Sequence, residues 1–170
     1  MKLDLTEIAL TPGKRMSYEI DEEPLGDISE EVISNAPIKG CLKFTNTHGL
    51  IYVKGSFNTE IKMMCGRCLD YFNMAINRDI EEVLPVTGET DDENFLDDLE
   101  TPVFVNYVLD LSELLRQYIL VEVPIKPLCK ESCKGICIGC GANLNTEECK
   151  CDKTPTNNPF ADLLKDFDSN

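Results

Sequence analysis

The chain has 170 residues, 42% hydrophobic and 28% charged, a balance that supports one packed domain with a small appended module and excludes wholesale disorder. Sixteen basic against thirty-one acidic side chains leave a formal net charge of −15. That excludes an unspecific nucleic-acid binder, whose affinity comes from neutralising phosphates. No apolar run approaches the ~20 residues of a membrane span, and residues 1–5 show no secretory signal, so a cytoplasmic protein without a membrane partner is expected.

In chain order, Leu3, Leu5, Ile8 and Leu10 form a strand or short entry segment that ends at Thr11-Pro12-Gly13. Residues 14–35 are polar and acidic, with scattered apolar anchors at Met16, Ile20, Leu25 and Ile28. After Pro37 the periodicity sharpens. Ile38, Leu42 and Phe44 alternate with polar neighbours, Thr47-His48-Gly49 makes a turn, and Ile51, Val53, Phe57, Ile61 and Met63 continue the alternation. Phe72, Met74, Ile76 and Ile80 form a third such run, so an antiparallel meander with one buried face is expected over residues 36–84. Residues 89–100 hold seven acids and read as a solvated loop. Residues 103–107 read as a short strand. Asp110, with Glu113 three positions on, caps a helix over residues 110–122 whose buried stripe is Leu111, Leu114, Leu115, Tyr118 and Ile119. Pro124 and Pro127 end it, and Pro159 is placed to start a last short helix.

Nine cysteines against one histidine are the anomaly in the composition. Cys65 and Cys68 form a C-x2-C pair at the turn between the second and third strands of the meander. Cys129, Cys133, Cys137, Cys140, Cys149 and Cys151 follow within 23 residues, and only Cys41 stands apart. Thiolates at such spacings suit tetrahedral zinc, because a short turn brings both sulfurs to one ion at ~2.3 Å. Disulfides, redox thiols and inert thiols are the competing readings, and the spacings match neither ferredoxin pattern. Eight clustered cysteines fill two sites: Cys137, Cys140, Cys149 and Cys151 in one, and Cys65, Cys68, Cys129 and Cys133 in a second that clasps the tail onto the earlier domain. A single site with four spectator thiols remains the alternative. Four sulfurs complete the coordination shell, so either arrangement is structural rather than catalytic.

Other chemistry is thin. There is no Gly-rich phosphate loop, and His48 falls in a turn with no nucleophile motif to serve. The charge is uneven: residues 36–80 carry six basic against three acidic side chains, and the remainder is strongly acidic. Alternation puts Lys39, Lys43, Lys54 and Lys62 on the solvent face of the meander with Tyr52 and Tyr71, and Arg67 nearby. This is either a surface that meets RNA or an ordinary solvated sheet face.

Several motifs carry a resemblance. Cys65-Gly66-Arg67-Cys68-Leu69, Asn106-Tyr107-Val108-Leu109-Asp110-Leu111 and Pro124-Ile125-Lys126-Pro127-Leu128-Cys129 occur in that order. They are followed by Cys133-Lys134-Gly135-Ile136-Cys137, Cys140-Gly141-Ala142-Asn143-Leu144-Asn145 and Asn158-Pro159-Phe160. Together they resemble the DUF177, or YceD-like, family of large-subunit ribosomal RNA accumulation proteins over nearly the whole chain. One departure is Ile138, where the family pattern leads one to expect proline. The resemblance implies a role in synthesis, processing or stability of large-subunit (23S) ribosomal RNA, and a link to a small, basic large-subunit ribosomal protein. It transfers no catalytic residues.

The expected protein is therefore α+β, with an antiparallel meander core and one main helix in residues 1–124. A cysteine-rich zinc-knuckle module occupies residues 125–170. The expected function is a non-enzymatic factor of large-subunit biogenesis, acting on the ribosomal RNA or a pre-ribosomal particle, with no small-molecule substrate. A metal-dependent RNA-processing or RNA-modifying enzyme is the alternative.

Overall fold

A computed structural model of the chain describes residues 1–86 and 104–151. The elements in order are β1 (Lys2–Asp4), α1 (Thr6–Ala9), β2 (Arg15–Glu22), β3 (Gly26–Ser29), β4 (Val32–Ser34), β5 (Ile38–Thr47), β6 (Leu50–Met64), β7 (Tyr71–Pro85), β8 (Phe104–Val105), β9 (Val108–Asp110) and α2 (Leu111–Glu122). Among the described residues antiparallel sheet dominates, with two helices, as the α+β reading requires. The acidic stretch 89–100 and the helix expected after Pro159 lie outside the described residues.

β6 and β7 pair over their full length, from Leu50↔Pro85 to Met64↔Tyr71. Along the other edge of β6 run β5, from Thr47↔Leu50 to Lys39↔Asn58, and then β4, from Ser34↔Ile61 to Val32↔Met63. Between those two stretches four residues, 35–38, face only Thr59 and Glu60. Pro37 has no N–H for the ladder, and the Thr59 hydroxyl donates to the Ala36 carbonyl at 3.1 Å instead. β4 and β5 are thus one interrupted strand. β2 and β3 flank it in the same way, β2 on β5 and β3 on β4. The result is a meander of four ribbons rather than the three legible from periodicity. The added ribbon falls in residues 15–29. There Met16, Tyr18 and Ile20 alternate inward, but only Ile20 is fully buried, so acidic neighbours mask the pattern.

The inner face buries Ile38, Leu42 and Phe44 from β5, Ile51, Val53, Phe57, Ile61 and Met63 from β6, and Ile76, Ile80 and Leu84 from β7. Leu111, Leu114, Leu115 and Ile119 of α2, with Leu5 and Ile8 at α1, close this core. The Asp110 carboxylate accepts the Glu113 amide at 3.2 Å, capping α2 as expected. Tyr118 is only partly buried. Its ring meets Phe57 edge-on at 6.5 Å, and its hydroxyl donates to the Glu82 carboxylate at 2.8 Å. The strand expected over residues 103–107 ends at Val105. Asn106 and Tyr107 both take positive φ (50° and 63°) and turn the chain into β9, which pairs with β1. Such paired left-handed residues make the tight turn of a two-residue hairpin. No helix among the described residues is long and apolar enough to cross a membrane.

Candidate metal centres

The long β6–β7 hairpin stays paired up to Met64↔Tyr71, and its turn carries the first pair of thiols. Cys65 N donates to the Asp70 carbonyl at 2.9 Å and Leu69 N to the Cys65 carbonyl at 3.0 Å, with Leu69 at φ 62°, so the turn folds back on its own sulfurs. After α2 the chain returns to this turn. Gly66 N donates to the Pro127 carbonyl at 2.8 Å, and the Arg67 guanidinium donates to the Cys133 carbonyl at 3.1 Å. Cys65, Cys68, Cys129 and Cys133 are thereby gathered, all but Cys129 buried, with Sγ atoms 3.9 Å apart for Cys65 and Cys133 and 3.7 Å apart for Cys68 and Cys129.

A second group lies further along. Cys137 N donates to the Ala142 carbonyl and Gly141 N to the Cys137 carbonyl, each at 2.8 Å, closing a loop around Cys137 and Cys140. Gly141 takes φ 75°, which this loop requires. Cys149 and Cys151 complete the set, with the Cys149 sulfur 3.2 Å from Cys137 and 4.0 Å from Cys140. Cys140 is exposed and the other three are half-buried.

The geometry suits a metal ion in each group. Four sulfurs at ~2.3 Å from one centre stand roughly 3.8 Å from each other, and within each set the sulfurs lie within 4.8 Å of one another. A disulfide needs ~2.05 Å, and all nine cysteines are free thiols. Backbone amides also point at the sulfurs. Burial raises the Cys65 thiol, but the amides of Cys129, Cys68 and Arg67 outweigh it and bring it down to about 6. The amides of Cys140 and Gly139 bring Cys137 down to about 6 as well. At Cys68 the Asp70 amide lowers the thiol, yet burial and hydrogen bonding to the neighbouring thiols push it up to about 12. Cys151 is pushed up to about 12 by hydrogen bonding with Cys140 and Cys149. Each group thus sets an easily ionised sulfur beside one that keeps its proton, the conflict of crowded like charges that a cation relieves.

Two residues the sequence reading did not single out connect the groups. The Asn145 side-chain amide donates to the Cys133 sulfur at 3.4 Å, and its oxygen accepts the Lys134 amide at 3.0 Å. The Asn143 side chain donates to the Asp70 carboxylate and accepts from Asn145. Asx residues in a cysteine-rich loop signal turns, but that they reach across to another loop is visible only in three dimensions.

The remaining candidates are spread differently. Lys39, Lys43, Lys54 and Lys62 do share the solvent face of the sheet with Tyr52 and Tyr71. Lys39 lies 3.7 Å from Asp21, Lys54 is paired with Glu81 at 2.5 Å, and the Lys62 ammonium sits 5.0 Å from the centre of the Tyr71 ring. Glu19, Glu60 and Asp79 join the same face by alternation, so its charge is mixed. Arg67 is engaged on backbone carbonyls of the cysteine module. Cys41, on that outer face of β5, belongs to neither cysteine group, and His48 (φ 52°) sits in the β5–β6 turn.

Comparison with known proteins places these features in a family. A family model described as "Large ribosomal RNA subunit accumulation protein YceD" matches residues 53–166. The chain is 27% identical over 143 residues to the maize (Zea mays) "Large ribosomal RNA subunit accumulation protein YCED homolog 1, chloroplastic", covering 68% of this chain and 48% of that protein. It is 34% identical over 55 residues to the Arabidopsis thaliana protein of the same name, covering 32% of this chain and 17% of that one. An uncharacterized protein of Mycobacterium leprae is 23% identical over 151 residues, 85% of this chain and 67% of the relative. The chain thus spans less than half the length of the two plant relatives it matches. No solved structure matches it.

Proposed function

The chain belongs to the YceD family of large ribosomal RNA subunit accumulation proteins, and on that premise we propose that it is a non-enzymatic factor in large-subunit biogenesis. It acts in the cytoplasm and sustains the synthesis, processing or stability of 23S ribosomal RNA. The supporting observation is the family match itself, which spans β7, α2, both cysteine groups and most of β6. The non-enzymatic reading rests on the donor sets. Four thiolates complete a tetrahedral shell and leave no position for a reacting water, so a metal there organises the chain and activates nothing. Zinc is the metal we assign, as the d10 ion suited to four sulfurs without a redox role. Cys65, Cys68, Cys129 and Cys133 hold one ion and Cys137, Cys140, Cys149 and Cys151 the other.

The outer sheet face, with Lys39, Lys43, Lys54 and Lys62 among acids, meets RNA in the company of a basic ribosomal protein that offsets the net charge of −15. An acidic molecule steers toward basic partners. Depleting the protein tests the role: large-subunit RNA is expected to fall relative to small-subunit RNA, and an unchanged ratio would overturn it.

A further inference from the structure

The two cysteine groups are not equivalent in how the fold holds them. In the first, Cys65, Cys68 and Cys133 are at most 5% exposed, and two of the four sulfurs sit on a hairpin turn whose strands pair over fifteen residues each. The second group takes all its ligands from residues 137–151, none of them on a regular element, and its Cys140 is exposed. Its attachments to the rest of the molecule are also one-sided. Among the described residues, Ile136 N donates to the Arg67 carbonyl at 3.1 Å and Leu144 N to the Gly135 carbonyl at 2.9 Å. Asn143 donates to Asp70, and Asn145 engages Cys133 and Lys134. Every one of these bonds ends within two residues of a cysteine of the first group. Gly135, at φ 74°, packs so closely on the Arg67 carbonyl that a Cβ there would lie 3.1 Å from its oxygen. The frame that positions Cys137 and Cys140 therefore hangs on the loops of the first site.

We propose that the two sites load in order and are energetically linked: the first takes its thiophilic divalent cation at the end of the β6–β7 hairpin, and this ordering raises the affinity of the second. The inference rests on the metal reading above. Metal binding fixes loops that are otherwise free to move, and fixing residues 65–70 and 129–135 fixes the anchor points of residues 136–145. Linkage is reciprocal, so a filled second site strengthens the first by the same factor. The order follows from their unequal intrinsic affinities. When metal is scarce the second site empties first, and the module stays docked on the meander.

The test uses the full chain, stripped of metal under reducing conditions and titrated with Co2+ as a spectroscopic probe and with Zn2+, read by native mass spectrometry. Two ions are expected in the parent protein. Cys140→Ser is expected to keep one tightly held ion, whereas Cys68→Ser is expected to bind at the second site at least tenfold more weakly than the parent does. One ion held with parental affinity in each variant would overturn the linkage while leaving the metal reading intact. A parent protein that takes up no metal would overturn both. Should Cys68→Ser fail to fold, Asn145→Ala decides, because it keeps all eight thiols. Its second site is expected to weaken at least threefold, and parental affinity there overturns the linkage.

Discussion

Asn46 is almost wholly buried at the inner face of β5, where a hydrophobe would be the default. Its side-chain amide donates to the carbonyls of Ile8 and Ala9 at 2.7 and 2.9 Å, satisfying the end of α1 and pinning that helix to the sheet. Asn46→Ala takes the side-chain donor from both carbonyls, leaving Ile8 only the Thr11 amide at 3.3 Å, and is expected to cost about 2–3 kcal/mol, read as a lowered denaturant midpoint at unchanged slope. Gly55 works by absence. A Cβ there would run into the Cys41 carbonyl of the neighbouring strand, so β5 and β6 approach closely only because the position is bare. Gly55→Ala is expected to destabilise by about 2–3 kcal/mol through backbone displacement, measurable in the same titration. Neither role is legible from composition: an asparagine and a glycine in alternating strands read as interruptions until their neighbours across the sheet are known.

α2 carries its instructions locally. Asp110 supplies the cap, the leucines at 111, 114 and 115 with Ile119 lie on one face, and Pro124 stops the run. Glu113 adds contacts within the helix to Arg116 and Gln117, at 2.8 and 3.0 Å. Asp110→Ala is expected to lower stability by about 1 kcal/mol. Leu115→Ala, emptying a site 1% exposed, is expected to lower it by roughly 2–5 kcal/mol. Paired equilibrium unfolding of the two variants checks the ranking, and equal losses would contradict the placement of α2 over the core. The helix was therefore readable almost residue for residue. The β2–β3 ribbon was not, because an edge strand half-buries its inward side chains and tolerates acids, which erases the period-2 contrast.

At the scale of the whole molecule, and among the described residues, the module is joined to the meander by the first cysteine group and by few apolar contacts. Ile125 and Ile138 are essentially fully exposed, and among the described residues only Phe72, Leu128 and Cys129 pack against the buried cysteines. A strong chelator under reducing conditions is therefore expected to release the module and leave the sheet. Limited proteolysis should then cut within residues 124–151 at least about tenfold faster, with the β-sheet circular dichroism retained, because metal-binding free energy is the folding free energy of such segments. Loss of the sheet signal together with the module would mean that the two fold as one unit.

Local pattern suffices for the class of the protein: a meander legible from period-2 alternation, a capped helix, eight cysteines at metal-binding spacing and a charge that disfavours bare nucleic acid. Those properties are local, and a spacing of two or three residues already limits which atoms can meet. Spacing suggested the two sets of four thiols, and the tertiary structure gathers those same sets; it alone shows that the lysine face is interleaved with acids from flanking strands, and that Asn143 and Asn145 suspend the second group from the first. Each of these joins residues from separate loops or strands, more than 60 positions apart where Asn143 meets Asp70. Sequence separation says nothing of such contacts until strand pairing fixes the distance.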